Sequence, residues 1–200
     1  WKVYVEGDTG ASLTGLIHWP QLHDRFATHF VPFSEFEKDA AAGNLPDFAM
    51  IEPNLLVGHG DYHPAAGAAL VKGLDLDVDV PSSILSGDAF LQRIFDAYRG
   101  MRSPTGANVW NTTLLIGWDE PGGTYDHVPP GPVPAPDQAA PAGQMGFRFD
   151  RSGYRVPAIV VSPWVEPGSV YTDEHRHTSL LATMRALWGI GDAFTERDKA

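Results

Sequence analysis

Two adjacent carboxylates in the second half of the chain are the residues whose types most readily do chemistry. Asp119 and Glu120 follow an apolar run that ends at Trp118. Neighbouring side chains point to opposite faces within a strand, but this alternation lapses where a strand passes into a loop, so both carboxylates can reach one cation. Oxygen ligands at adjacent positions suit a hard divalent metal ion. The pair therefore indicates a metal site, whereas an isolated Asp-Glu pair is more often two ordinary loop carboxylates.

The residues that follow this pair favour the metal interpretation. Gly122 and Gly123 allow the backbone to turn tightly, and Asp126 and His127 come directly after the turn. A carboxylate, two glycines and an imidazole so close to the pair are unusual for a loop without a function.

A second candidate group follows the apolar run at residues 47–51. Glu52 ends this run, and Asp61 and His63 stand two positions apart further on. An aspartate and a histidine at this spacing can form an oriented pair, in which the carboxylate fixes the imidazole tautomer. The alternative is a solvated loop histidine, which is the commoner situation for such a residue taken alone.

A third candidate lies at the start of the last predicted helix. His177 precedes Thr178 and Ser179 there, and a helix N-terminus is a ready site for an anion. The alternative is that Thr178 or Ser179 simply caps the helix. Arg155 precedes another apolar run; it could hold a phosphate oxygen, but an ion pair is the favoured role.

These candidates depend on strands and helices that alternate along the chain. Apolar runs predict strands at residues 1–5, 47–51, 112–118 and 156–162, the last three buried. Helical spacing of apolar residues predicts helices at residues 88–98 and 178–188. A further helix is predicted from a capping box at Ser34 and Glu37 to Gly43.

Such alternation is typical of an α/β fold with a largely parallel sheet. In an open sheet of this kind the ligand lies beyond the carboxyl ends of the strands. Residues 6–33 show no pattern that can be assigned, and residues 55–86 and 121–153 are predicted to be loops. The loop at 55–86 carries Asp75, Asp77 and Asp79, which we interpret as solvated rather than as a calcium site, because the EF-hand spacing is incomplete.

The composition limits the classes of function. A formal net charge of −11 argues against nucleic-acid binding, which needs clustered lysine and arginine. An acidic surface also repels anionic substrates at long range, so a phosphate substrate would require a local metal ion. The chain has no cysteine, which excludes disulfides, thiolate metal sites and cysteine nucleophiles. Neither a long apolar run nor a signal-peptide pattern is visible.

Taken in order, the motifs resemble those of a known family, the bacterial phosphoesterases, which include non-haemolytic phospholipases C and an acid phosphatase. The motifs that carry the resemblance are Ile51-Glu52-Pro53, His63-Pro64, the stretch from Trp118 to Pro130, the stretch from Gly153 to Trp164, and His177-Thr178-Ser179. They extend over nearly the whole chain. The Asp119-Glu120-x-Gly122-Gly123 string is the most specific of them.

The resemblance implies a single domain over residues 1–200, an alkaline-phosphatase-like α/β/α sandwich that is incomplete at its N-terminus. It implies a divalent metal ion, which Mg²⁺, Ca²⁺, Mn²⁺, iron or Zn²⁺ would all fit, and a phosphoenzyme on a serine or threonine. It also implies export to the periplasm or the outside of the cell. The roles that it suggests are metal ligation by Asp119, Glu120 and Glu52, phosphate contact or proton transfer by His63, His127 and His177, and orientation of a histidine by Asp61.

The chain departs from the family pattern in two ways. The Glu-Asn segment that supplies further metal ligands, and the nucleophile that follows it, are not found before Trp1, and Pro121 stands where many relatives have histidine. We therefore expect a hydrolase of phosphoric esters whose nucleophile lies in a missing N-terminal half, a possible partner of this chain. The isolated chain should bind metal weakly and turn over little.

Two alternatives remain open. One is a truncated, non-catalytic domain that binds an anion or a partner without turnover. The other is a sulfatase-like or phosphonate-type member of the same superfamily.

Overall fold

A parallel three-stranded sheet organises the N-terminal part of the chain in the computed structural model, which describes residues 1–8, 11–55, 60–63, 83–137 and 142–199. The strands are β1 (Lys2–Val5), β2 (Phe30–Pro32) and β3 (Ala49–Glu52), in the order β2-β1-β3. Val3 aligns with Phe30 on one side and with Met50 on the other. The predicted α/β class with a parallel sheet is thus confirmed.

Helices make the connections that parallel strands require. Helices α1 (Leu13–Ile17) and α2 (Trp19–His29) join β1 to β2, and α3 (Phe33–Ala42) joins β2 to β3. The chain continues in α4 (Ile84–Gly100), β4 (Leu114–Gly117), β5 (Ala158–Val161) and α5 (Thr178–Trp188), with short 3₁₀ turns at Gln144–Gly146 and Glu196–Lys199. Strands β4 and β5 pair in a second sheet. No helix of the described residues is long and apolar enough to cross a membrane.

Strand β1 buries side chains on both of its faces. Tyr4 belongs to a large cluster that is built mainly from α3 and α4 and contains Phe33, Phe36, Ala40, Phe90, Ile94, Tyr98 and Met101. Val3 and Val5 point the other way and form a smaller cluster with Phe30, against which Leu22 and Phe26 of α2 pack. Because successive side chains of a strand alternate, helices cover β1 from both sides.

The chain divides into two compact units, and the division falls within β4 and β5. The first unit contains Trp1–Leu114 and Val160–Val165, and the second contains Leu115–Ile159 and Glu166–Ala200. The parallel sheet and both clusters lie in the first unit, together with α4. The second unit contains α5 and the proline-rich segment before β5.

Several predicted elements are present with different bounds. Helix α4 begins at Ile84, four residues before its predicted start, because Ser83 caps it by accepting a hydrogen bond from Leu85 N at 3.2 Å. Helix α3 ends at Gly43 as predicted, but the capping box at Ser34 is wrong. The helix begins at Phe33, with Pro32 as its N-cap, so Ser34 lies inside it.

The prediction that the strands are buried is wrong for β3 and for the second sheet. In β3, Ala49 and Ile51 are half-buried and Met50 is exposed. Strand β4 alternates between half-buried and exposed residues, and Ala158, Ile159 and Val160 of β5 are exposed. The three aspartates at positions 75, 77 and 79 lie outside the described residues, as does most of the predicted loop at 55–86.

Candidate active site

The carboxyl end of β3 presents Glu52, a buried carboxylate with 3% of its surface exposed. Its Oε2 accepts a hydrogen bond from Ser12 Oγ at 2.7 Å, and its Oε1 accepts one from Leu13 N at 2.9 Å. Ser12 in turn caps α1 by accepting from Gly15 N. The carboxylate therefore joins β3 to the start of α1. Metal ligation by Glu52 stays a prediction.

Glu6 is a neighbouring carboxylate that the sequence reasoning did not single out. It follows β1 directly, and its backbone N donates to Glu52 O at 2.9 Å. Its Oε2 accepts a hydrogen bond from Asn54 N at 2.8 Å. Gly60 passes so close that a Cβ on it would lie 2.3 Å from the same oxygen. The sequence could have indicated Glu6 as a candidate because it directly follows a predicted strand, and ligand sites lie beyond the carboxyl ends of parallel strands.

Asp61 and His63 form the pair that their spacing predicts. Asp61 Oδ2 lies 2.9 Å from His63 Nδ1, and Asp61 Oδ1 lies 3.5 Å from the backbone N of His63. The aspartate side chain is 6% exposed and the imidazole 45%. The carboxylate is thus placed beside Nδ1, where it can orient the imidazole. The catalytic role of the pair stays a prediction.

In the second unit, Asp119 and Glu120 lie two and three residues after the end of β4, and both are exposed. Glu120 Oε2 accepts a hydrogen bond from Gly122 N at 2.9 Å. Gly122 and Gly123 have φ angles of 63° and 76°, which lie in the left-handed region that favours glycine. The predicted tight turn after the carboxylates is therefore confirmed.

His177 is held beside this turn. Its Nε2 lies 2.8 Å from the carbonyl oxygen of Trp118, the residue before Asp119. A carbonyl oxygen only accepts, so Nε2 carries a proton and Nδ1 is the basic nitrogen of the neutral ring. His177 is itself the N-cap of α5 and makes no side-chain cap. Ser179 Oγ instead accepts from Arg176 N at 3.0 Å, so neither Thr178 nor Ser179 is the N-cap.

Arg155 forms an ion pair, which confirms the role that the sequence favours for it over phosphate binding. Its Nε and one terminal nitrogen each donate to Asp126 at 2.8 Å, in a two-pronged contact. Val128 N donates to the same carboxylate at 3.0 Å. The hydrogen bonds from Arg155 are the largest of the effects that hold the pKa of Asp126 well below its ordinary range.

His127 stands next to this ion pair, with its Nδ1 3.7 Å from Asp126 Oδ1 and its side chain 82% exposed. It borders an open recess of about 500 Å³ in the second unit. The recess is lined by Gly123, Thr124, Tyr125, Asp126, Pro129, Pro130 and Tyr154 as well as His127. The His127 imidazole is thus accessible, whereas the neighbouring Asp126 carboxylate is held by Arg155.

The donors in the second unit suit a divalent cation only in part. Asp119 and Glu120 supply the oxygen atoms that hard cations prefer. Within the ranges that the structure describes, no three His, Asp or Glu side chains form a group that could hold a metal ion. The two carboxylates therefore fit as part of a coordination sphere rather than as all of it.

The structure is an α/β protein with carboxylates and histidines in the segments that follow its strands. Comparison with known proteins identifies the class to which it belongs. A model of the phosphoesterase family matches residues 11–191. The chain belongs to this family.

The relatives with curated names include plant and bacterial proteins. The chain is 37% identical over 177 residues to non-specific phospholipase C6 of Arabidopsis thaliana and 32% identical over 179 residues to non-specific phospholipase C3 of the same plant, in each case over 82% of this chain. It is 32% identical over 167 residues, 78% of its length, to phospholipase C A of Mycobacterium tuberculosis. It spans 30% of the length of each plant protein and 28% of the mycobacterial one.

Proposed function

We propose that this chain serves in the metal-dependent hydrolysis of phosphoric esters, with phospholipids as the substrate class. Membership of the phosphoesterase family and the names of the three relatives described above, each a phospholipase C, support this proposal. The structural observation that carries it is the contact between His177 Nε2 and the carbonyl of Trp118, which keeps an imidazole beside Asp119 and Glu120.

In this proposal Asp119 and Glu120 hold a divalent metal ion. When bound, the ion would offset charge on the phosphoryl oxygens and lower the pKa of the attacking hydroxyl. Both side chains are exposed in the second unit, and Asp119 accepts no hydrogen bond within the described part of the chain. Its oxygens are thus available to a cation, while the bond from Gly122 N orients Glu120.

The histidines take the proton-transfer and phosphate-binding roles. Imidazole has an ordinary pKa near neutrality, which suits a general acid or base. Asp61 Oδ2 lies 2.9 Å from His63 Nδ1, and the Trp118 carbonyl fixes His177 in the tautomer with a basic Nδ1. The His127 side chain is 82% exposed and borders the recess, so we assign it to phosphate contact.

The proposal is tested with the full-length protein on three substrates: a phosphate monoester, a phosphate diester and phosphatidylcholine vesicles. We expect hydrolysis that a chelator abolishes and that a divalent cation restores. Asp119→Asn should lower kcat/KM by about a hundredfold or more, because it removes a negatively charged ligand from the ion. The matched control is Asp173→Asn, at an exposed aspartate of the same unit, which should change kcat/KM less than about twofold.

Three outcomes are decisive. Hydrolysis that survives both the chelator and Asp119→Asn would contradict metal dependence. No hydrolysis of any of the three substrates by the metal-loaded protein would favour the non-catalytic alternative. Hydrolysis of the monoester alone would replace the phospholipase assignment by a phosphatase.

A further inference from the structure

Tyr62, between Asp61 and His63, has a backbone conformation that a tyrosine rarely adopts. Its φ is 63°, in the left-handed region that bulky residues avoid at a cost of about 1 kcal/mol or more. The turn that this angle produces brings Asp61 Oδ2 to within 2.9 Å of His63 Nδ1. A conformation of this kind persists only where surrounding contacts hold it.

Two contacts with the first turns of α4 hold Tyr62. Its hydroxyl donates a hydrogen bond to Asp88 Oδ1 at 2.6 Å. Its ring lies directly on Gly87, where a Cβ would come within 2.5 Å of Tyr62 Cδ2. Burial and the bond to Asp88 raise the pKa of Tyr62 to about 12, so the phenol remains a donor throughout the neutral range.

Gly87 is the feature that lets helix and ring approach so closely. It is buried, near the start of a helix of 17 residues, where any other residue would push the ring away. Glycine costs about 1 kcal/mol relative to alanine inside a helix. The close contact with Tyr62 gives a physical reason for glycine at this position.

We propose that Tyr62 is a positioning residue. Its contacts with Gly87 and Asp88, which we call the lock, attach the Asp61–His63 pair to α4 and so hold His63 in its working orientation. This inference rests on the proposed function, in which His63 transfers a proton. Tyr62 itself acts through the neighbouring pair and needs no contact with the substrate.

The lock is tested in the active, metal-loaded full-length protein with variants that remove one contact at a time. Tyr62→Phe removes the hydroxyl and keeps the ring on Gly87. Asp88→Ala removes the acceptor, whereas Asp88→Asn keeps an oxygen that accepts the same bond. The controls are Tyr171→Phe at an exposed tyrosine and Asp96→Ala on the same helix as Asp88.

Loss of one such hydrogen bond should lower kcat about threefold to tenfold in Tyr62→Phe and Asp88→Ala. KM should stay within about twofold, because the lock orients a reacting group rather than the substrate. Asp88→Asn should retain kcat within about twofold of the wild type, as should both controls. Unchanged kcat in Tyr62→Phe and Asp88→Ala, or an equal loss in Asp88→Asn and Asp88→Ala, would overturn the lock and leave the proposed function intact.

A second readout does not depend on turnover. With histidine-selective ¹⁵N labelling, the Nδ1 signal of His63 reports its close contact with Asp61. We expect this signal to move in Asp88→Ala and to stay in place in Asp88→Asn and Asp96→Ala. If the wild type hydrolyses no phosphoester, the proposed function fails on its own. A His63 signal that stays in place in Asp88→Ala overturns the lock whatever the activity.

Discussion

Arg155 shows how a single side chain decides the charge of its neighbour. Its guanidinium donates two hydrogen bonds to Asp126 at 2.8 Å, and such charge-assisted bonds are roughly twice as strong as bonds between neutral groups. The pKa of Asp126 is well below its ordinary value as a result. The charge of Arg155 is therefore balanced by the Asp126 carboxylate, which a phosphate would have to displace in order to bind Arg155 in the same way.

Replacing Arg155 by glutamine should raise the pKa of Asp126 towards its ordinary value of 3.8. In the wild type the folded-state pKa lies below the unfolded one, so the pair stabilises the protein at pH values above the ordinary carboxyl range. This stabilisation is lost as the pH falls through the folded-state pKa. The Tm difference between wild type and Arg155→Gln should thus be largest near neutrality and shrink below about pH 4.

The measurement is a ¹³C NMR titration of the Asp126 carboxyl carbon, with melting curves at each pH. Arg148→Gln is the control, since Arg148 is an exposed arginine of the same unit as Arg155. A carboxyl pKa that is the same in wild type and Arg155→Gln would show that the ion pair of the structure is absent in solution.

Contacts between residues close in sequence could be predicted, and distant ones could not. The Asp61–His63 pair and the turn at Gly122 and Gly123 follow from spacing alone, because two or three residues of backbone bring their atoms together. Glu6 meets Asn54 and Tyr62 meets Asp88 only after the chain has folded. No local pattern carries such information.

At the scale of elements, apolar periodicity predicted the helices well where it was sustained. Helix α5 has the predicted bounds, since four leucine or methionine side chains recur at helical spacing and Gly189 ends it in a left-handed conformation, with φ 64°. Helices α1 and α2 escaped prediction. Glycine, proline and three histidines interrupt the pattern there, although Pro20 near the start of α2 was a usable signal.

The glycine that ends α3 gives a test at this scale. Gly43 has a φ of 77°, and a Cβ on it would lie 2.3 Å from Ser103 Cβ. Gly43→Ala should therefore lower the free energy of unfolding by about 2 kcal/mol or more, from both the unfavourable φ and the collision. Gly100, the last residue of α4, is the matched control, because a Cβ there would meet nothing within 4 Å.

Urea denaturation of the two variants and the wild type measures this difference. Gly100→Ala should be neutral or stabilise by up to about 1 kcal/mol, since alanine restricts the unfolded chain more than glycine does. Equal effects of the two substitutions would contradict the close packing of Gly43 against Ser103.

At the scale of the whole molecule, the alternation of strands and helices predicted the α/β class and the parallel sheet correctly. Burial of β3 and of the second sheet was predicted wrongly, because apolar composition alone does not tell which face of a strand another element covers. Ile159 and Val160 of β5 are each nearly half exposed. The chain spans about a third or less of its relatives, so the activity of the whole protein is proposed here from family, motifs and local geometry together.

The net charge of −11 makes the metal ion the central requirement of the proposed function. An anionic substrate is repelled by an acidic surface at long range, and the charge of Arg155 is neutralised by Asp126. A cation at Asp119 and Glu120 would supply the attraction that this surface lacks.

The most direct test is a crystal structure of the full-length protein soaked with Mn²⁺ and measured at a wavelength where manganese scatters anomalously. We expect an anomalous peak with carboxylate oxygens of both Asp119 and Glu120 at about 2.0–2.6 Å, the range that hard divalent cations adopt. A fully active protein whose manganese lies away from both carboxylates would contradict the proposed metal site.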